Sequence, residues 1–140
     1  MKILEVIQRL RYAYFVTKSK NYLYKSEYQK ALSTINKVNF GNQLYIQSFK
    51  VLLNLALKNQ EESLINIHDS FLLFDSNNIY NLDEKRYLKT FLFLSKAQIY
   101  KMKNEKEKSI INLKKYNNEN TFNIENVRAR LIYDFPIVEN

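Results

Sequence analysis

Cysteine and tryptophan are missing from the 140-residue chain, and glycine, proline and histidine occur once each. Each scarcity removes a class of protein. Without cysteine there can be no disulfide framework, thiolate zinc site or cysteine nucleophile, and one histidine cannot build a multi-histidine metal cluster. One glycine and one proline leave almost no turn chemistry for β-hairpins, Gly-rich phosphate loops or sandwich corners. The chain therefore reads as all-α. Its poor stock of reactive side chains points to a binding protein rather than an enzyme, with no cofactor and no metal. No stretch reaches the roughly 18 uninterrupted apolar residues of a membrane span: the run from Val51 to Leu57 is broken by Asn54, and that from Phe91 to Leu94 is short. Glu5, Gln8, Arg9 and Arg11 interrupt the place where a signal peptide needs an apolar core. A cytoplasmic protein with no membrane partner is expected.

What is abundant fills in the picture. Apolar residues make up 46% of the chain, enough at this length for one core in a single domain, residues 1–140. Lys, Asn, Ile, Tyr and Phe are all frequent, which matches A/T-rich codons and suggests a bacterial gene of low GC content. The net charge of +8 is uneven: residues 1–50 hold nine Lys/Arg against Glu5 and Glu27, whereas residues 51–100 hold five against six acids. Such a basic first third raises the local concentration of acidic partners, or serves solubility alone.

Apolar residues recur at spacings of three and four nearly throughout, the signature of helices with one buried face. Ile3, Val6, Ile7, Leu10, Ala13 and Tyr14 form that face in the first helix; Tyr28, Ala31, Leu32, Ile35 and Val38 form it in the second, which stops near Gly41. Further helices are expected over Leu44–Leu57, Glu61–Phe74, Glu84–Lys103 after a cap at Asp83, and Glu105–Tyr116. A seventh, Phe122–Tyr133, ends before Pro136. Ser26, Asn59 and Asn104 each precede a Gln or Glu by three residues, as in capping boxes. Aligned on these three, the chain shows an internal repeat. Leu32, Ile65 and Ile110 fall six residues after, and Ile35, His68 and Leu113 nine after. Tyr22, Leu55 and Tyr100 fall four before, and Ser19, Leu52 and Ala97 seven before.

Phe15, Ser19, Tyr22, Tyr28, Ala31, Ile35 and Val38, and again Phe93, Ala97, Tyr100, Ser109, Ile110 and Leu113, resemble the tetratricopeptide (TPR) pattern of interlocking small and aromatic positions. The middle pair fits less well, because Leu52 and Leu64 are large where the family has small residues. The resemblance implies three stacked antiparallel helical hairpins plus a C-terminal helix, a TPR-like α-α superhelix; an ordinary antiparallel bundle uses the same periodicity. It also implies a groove lined by the first helix of each pair: Ala13, Val16, Lys20, Leu23 and Tyr24 in the first hairpin, and Phe91, Leu94, Gln98, Lys101 and Met102 in the third. Arg9 and Tyr12 extend that partner-binding set.

The remaining constellations carry little chemistry. His68 shares the register of Ile35 and Leu113 and reads as a half-buried packing residue. Glu61/Glu62 and Asp83/Glu84 lie in first turns, where the helix dipole accounts for them. The segment Asp75–Tyr80 lacks the glycine of a calcium loop and reads as a connector. The expectation is a non-enzymatic module gripping another protein with an acidic and apolar face, most concretely a small bacterial immunity or antitoxin-type protein occluding a toxin. A basic helical nucleic-acid binder is the alternative, and a homodimer stays open.

Overall fold

The structure is a computed structural model that describes residues 2–76 and 82–119. It is all-helical over those residues: α1 (Ile3–Tyr24), α2 (Tyr28–Ile35), α3 (Gln43–Ala56), α4 (Gln60–Ser76), α5 (Leu82–Met102) and α6 (Lys106–Glu119). The expected seventh helix, Phe122–Tyr133, and the Pro136 stop lie outside the described residues, as does most of the Asp75–Asn81 connector. Asp83 falls inside α5 rather than ahead of it.

The helices pair in chain order, α1 with α2, α3 with α4 and α5 with α6, and the three tight connections share one backbone device. Ser26, Lys58 and Asn104 adopt the left-handed conformation, with φ of 60°, 60° and 61°. Around Ser26 the Glu27 N–H donates to the Tyr22 carbonyl and the Ser26 N–H to the Leu23 carbonyl, both at 2.9 Å. Asn59 to Asn54 (2.8 Å) with Lys58 to Leu55 (3.0 Å), and Glu105 to Tyr100 (2.8 Å) with Asn104 to Lys101 (3.1 Å), repeat the pattern. This is the Schellman closure of a helix C-terminus, built three times without its usual glycine. It corrects the expected capping boxes. Of the three expected cap residues, Asn59 alone accepts a backbone N–H as an N-cap, from Glu62 at 3.4 Å. Ser26 and Asn104 instead terminate the preceding helix.

Lys58, not Asn59, is therefore the counterpart of Ser26 and Asn104, and the middle hairpin shifts by one residue. Ser19 Oγ then donates to the Ala31 carbonyl (2.7 Å), Ser63 Oγ to Val51 (3.2 Å) and Ser109 Oγ to Ala97 (2.9 Å). Each pair lies seven residues before and five after its left-handed residue. Small or short side chains at these crossings let two helices approach until a hydroxyl reaches the opposing backbone. Leu52 and Leu64 stand one place off this contact, so the poor match expected of the middle hairpin was a register error. The same shift moves His68, which is exposed; Ile67 takes the packing position of Ile35, and both are almost fully buried.

The core centres on α3, which touches α2, α4 and α5. Leu44, Ile46, Phe49, Val51 and Leu53 are fully enclosed, packed with Ala31 and Ile35 of α2 and Leu88 and Leu92 of α5. The second helix is only eight residues long, so α1, with 22, overhangs it. This overturns the expected buried face of α1: Ile3, Val6, Ile7, Leu10, Ala13 and Tyr14 are exposed, and α1 meets the body through Tyr12, Phe15, Val16, Ser19 and Leu23. Gly41 has φ +84°, but it lies six residues past the end of α2 and leads into α3. A β-carbon there would sit 2.5 Å from the Tyr12 ring.

Two substitutions follow with opposite sign. Lys58→Gly removes left-handed strain from a side-chain-bearing residue and is expected to raise unfolding free energy by about 1 kcal/mol. Gly41→Ala adds both strain and a collision with Tyr12 and is expected to cost about 1–3 kcal/mol. Urea denaturation of both variants checks the pair.

Candidate binding surface

The residues expected to line a groove divide into two groups. Leu23 and Phe91 are buried in the core and cannot meet a partner directly. Val16 and Leu94 are half-buried, and Lys20 lies with its Nζ 5.4 Å from the centre of the Tyr45 ring. Arg9, Ala13, Tyr24, Gln98, Lys101 and Met102 are exposed. Arg9 and Tyr12 border a shallow depression of about 280 Å³ with Glu5, Gln8, Phe40 and Gly41, beneath the start of α1. The Tyr12 ring is held there against Gly41, so it serves the fold more than a free surface.

The surface that sequence periodicity hid is the outer side of α1. Ile3, Ile7, Leu10 and Tyr14 are 80%, 47%, 65% and 59% exposed. At about 100° per residue they fall on one stripe, roughly opposite Tyr12, Ser19 and Leu23, which face the body. Alternation of inward and outward apolar positions makes α1 apolar on two sides, so no single buried face could be read from spacing alone. Exposed apolar side chains gathered on one helix face, unlike single scattered ones, mark an interaction surface.

A second feature is polar. In the first and third hairpins an aromatic–cation lattice covers the seam between paired helices. Lys30 lies over Tyr22 (5.9 Å) and Lys37 over Phe15 (5.8 Å), matched by Lys108 over Tyr100 (5.4 Å) and Lys115 over Phe93 (5.9 Å). Glu27 and Glu105 pair with Lys30 and Lys108 at 3.3 and 3.5 Å. The middle hairpin places Asn54, Gln47, Glu62 and Asp69 at the equivalent positions. Asn54 donates to Asn66 (2.8 Å) and Asn66 to Gln47 (3.1 Å), forming an amide chain. These residues and Lys50 line an open cleft of about 460 Å³, edged by Leu32 and Ile65. It can offer hydrogen bonds, with Lys50, Glu62 and Asp69 as its charged groups. Among the described residues no group of three His, Cys, Asp or Glu is placed to hold a metal.

Lys18, Lys50 and Lys96 share one register, eight residues before the left-handed turn. Burial pushes the Lys50 ammonium below the ordinary lysine range, partly offset by Asp69; burial and then the Lys115 charge push Lys96 down. On the outside of the last two hairpins, Lys103 Nζ bonds Glu61 at 2.7 Å, which raises the Lys103 pKa and ties the turn after α5 to the start of α4.

Comparison with protein-family models, with curated proteins and with solved structures yields no match. Among the described residues no helix is long and apolar enough to cross a membrane.

The lowered Lys96 pKa has a defined consequence. A lysine whose folded pKa is depressed destabilises the fold fully below that pKa, and the penalty fades as pH climbs toward the unfolded value of about 10.4. Lys96→Met is expected to be more stable than the parent at pH 7, with the gap narrowing as pH climbs from the depressed folded pKa toward the unfolded one. Paired urea titrations from pH 7 to about 10.4 check this; a constant gap would show that burial of the charge is not the cause.

Proposed function

We propose that the chain is a non-enzymatic protein-binding module, a degenerate TPR-like stack of three antiparallel helical hairpins with a C-terminal helix. In its most concrete form it is a small bacterial immunity or antitoxin-type protein, acting in the cytoplasm by occluding a toxin. The observation that carries the reading is the uncovered apolar stripe of α1 beside Arg9 and Arg11. Leaving that much apolar surface in water has no benefit for a free monomer, whereas a partner with an acidic and apolar face would bury it. The register shared by the three hairpins supports the stacked arrangement, because each crossing closes on the same serine-to-carbonyl contact. The supports for a toxin-directed role are the basic first third and the absence of a recognisable catalytic set.

A nucleic-acid reading rests on the same basic residues. Against it, four of the aromatic rings near them already carry one of the chain's own cations: Lys18 over Tyr14, Lys20 over Tyr45, Lys30 over Tyr22 and Lys37 over Phe15. Bases would have to displace these contacts before stacking.

Capture from a lysate of the native host is expected to retain one stoichiometric protein partner. Leu10→Asp is expected to lose it while changing unfolding free energy by no more than about 0.5 kcal/mol, since the side chain is largely in solvent. Retention of nucleic acid in a salt-sensitive manner, with no protein, would favour the alternative. Retention of neither would remove both readings.

A further inference from the structure

The outer side of α1 is more regular than an apolar stripe. Ile3, Ile7, Leu10 and Tyr14 are spaced by four, three and four residues, and continuing the alternation reaches Thr17, Asn21 and Tyr24. All seven positions are exposed. They form the a and d positions of three consecutive heptads, with Ile7, Tyr14 and Asn21 at a. The residues that anchor α1 to the body fall at b, c and f: Phe15 and Tyr22, Val16 and Leu23, Tyr12 and Ser19. A helix packed in a bundle buries its apolar seam inside the bundle. This one turns the complete seam outward and uses its other face to hold on. A β-branched residue at a followed by leucine at d, as in Ile7 and Leu10, favours two-stranded pairing, and a lone asparagine at a fixes register.

The positions flanking the seam identify what fits it. Within α1, Arg11 and Lys18 occupy e and Lys20 occupies g, beside apolar Leu4 at e and Val6 and Ala13 at g, and neither flank carries an acid. Glu5, the sole acid of α1, lies at f, on the far side. An antiparallel second copy of α1 would set Arg11 and Lys18 of one e flank against those of the other, and a parallel copy would bring together two helices that each carry excess positive charge, which disfavours self-pairing. Charge complementarity instead requires carboxylates at the partner's e and g positions.

Resting on the protein-binding reading, we propose that α1 is one strand of an intermolecular two-stranded coiled coil. Its occupant is an amphipathic partner helix with an apolar a/d seam and acidic flanks. The seam is widened at its start by exposed Leu4 and Val6 and ended by polar Thr17 and Asn21 before Tyr24; its heptad spacing along the whole of α1 fits the length of a single partner helix.

The test uses the full chain and two synthetic 24-residue peptides. Both carry Ile at a and Leu at d; one has Glu at every e and g, the other Lys, and each is kept from self-pairing by its own repulsion. Calorimetric titration is expected to show 1:1 binding of the Glu peptide, on the order of tenfold or more tighter than the Lys peptide and weakened by salt. Leu10→Asp in the chain should abolish it. Leu72→Asp, at an exposed apolar site on α4, should leave it unchanged. Equal binding of both peptides, or of neither, would overturn the proposal. So would a dimer of the chain that Leu10→Asp dissolves, or Leu10-dependent binding to phosphatidylglycerol vesicles with no peptide binding. A native partner that needs Leu10 but peptides that fail would remove the helical occupant and leave the protein-binding reading standing. Peptides that bind with no native partner would do the reverse.

Discussion

Close helix approach at three crossings, each marked by a serine hydroxyl resting on an opposing backbone carbonyl, sets the spacing on which the rest of the molecule depends. At Ser19 and Ala31, Ser63 and Val51, and Ser109 and Ala97, serine paired with alanine or valine lets the helices approach until the hydroxyl meets the backbone. The acceptor carbonyls lie within helices whose ladder can already occupy them, so the hydroxyl bond adds little by itself. Its value is the proximity it reports: at that separation apolar side chains on both sides of the crossing reach across and close the core. The left-handed residue seven positions after one member of the pair, and five before the other, keeps that crossing in register.

From this spacing follows the unequal use of the six helices. The third lies between neighbours and is enclosed on most sides, with eight buried residues in 14. The first has a single close partner of eight residues, so it can bury one face over part of its length. Evolution of an edge helix ordinarily makes the remaining surface polar. Here the remaining surface includes isoleucine, leucine and tyrosine set between arginines and lysines, and that departure is the observation on which the proposed binding surface rests. The middle hairpin departs in the other direction, exchanging an aromatic–cation cover for an amide chain and two acids around Lys50.

The fold class was legible in the sequence because scarcity of glycine and proline and three-to-four periodicity are properties of every helix at once. The boundaries of α3 to α6 were found to within a few residues for the same reason, whereas α2 ends at Ile35, six residues before the stop expected at Gly41. Register was not. Ser26 and Asn104 are good N-cap residues by type, yet both terminate the preceding helix, and the third equivalent residue is a lysine that no capping rule selects. Only the geometry of the Glu27, Asn59 and Glu105 backbone bonds distinguishes the two roles. Missing that single residue misplaced His68 and made Leu52 and Leu64 look discordant. The outward seam of α1 was unreadable for a different reason: periodicity reports that a helix has an apolar stripe, and burial decides which way the stripe points. The groove inferred by resemblance mixed both cases, catching exposed Tyr24, Gln98 and Lys101 along with core residues Leu23 and Phe91.

The central claim is that α1 holds the body with one face and presents its heptad seam to solvent. Because the chain has no cysteine, single cysteines introduced along α1 report this without background. Thiol-labelling rates at positions 7, 10, 14 and 17 are expected to be close to those of an unfolded peptide, and rates at positions 12, 19 and 23 to be slowed by on the order of a hundredfold or more. Protection of positions 7 and 10 in the isolated monomer, with fast labelling at 19 and 23, would place the seam inside the fold and contradict the account.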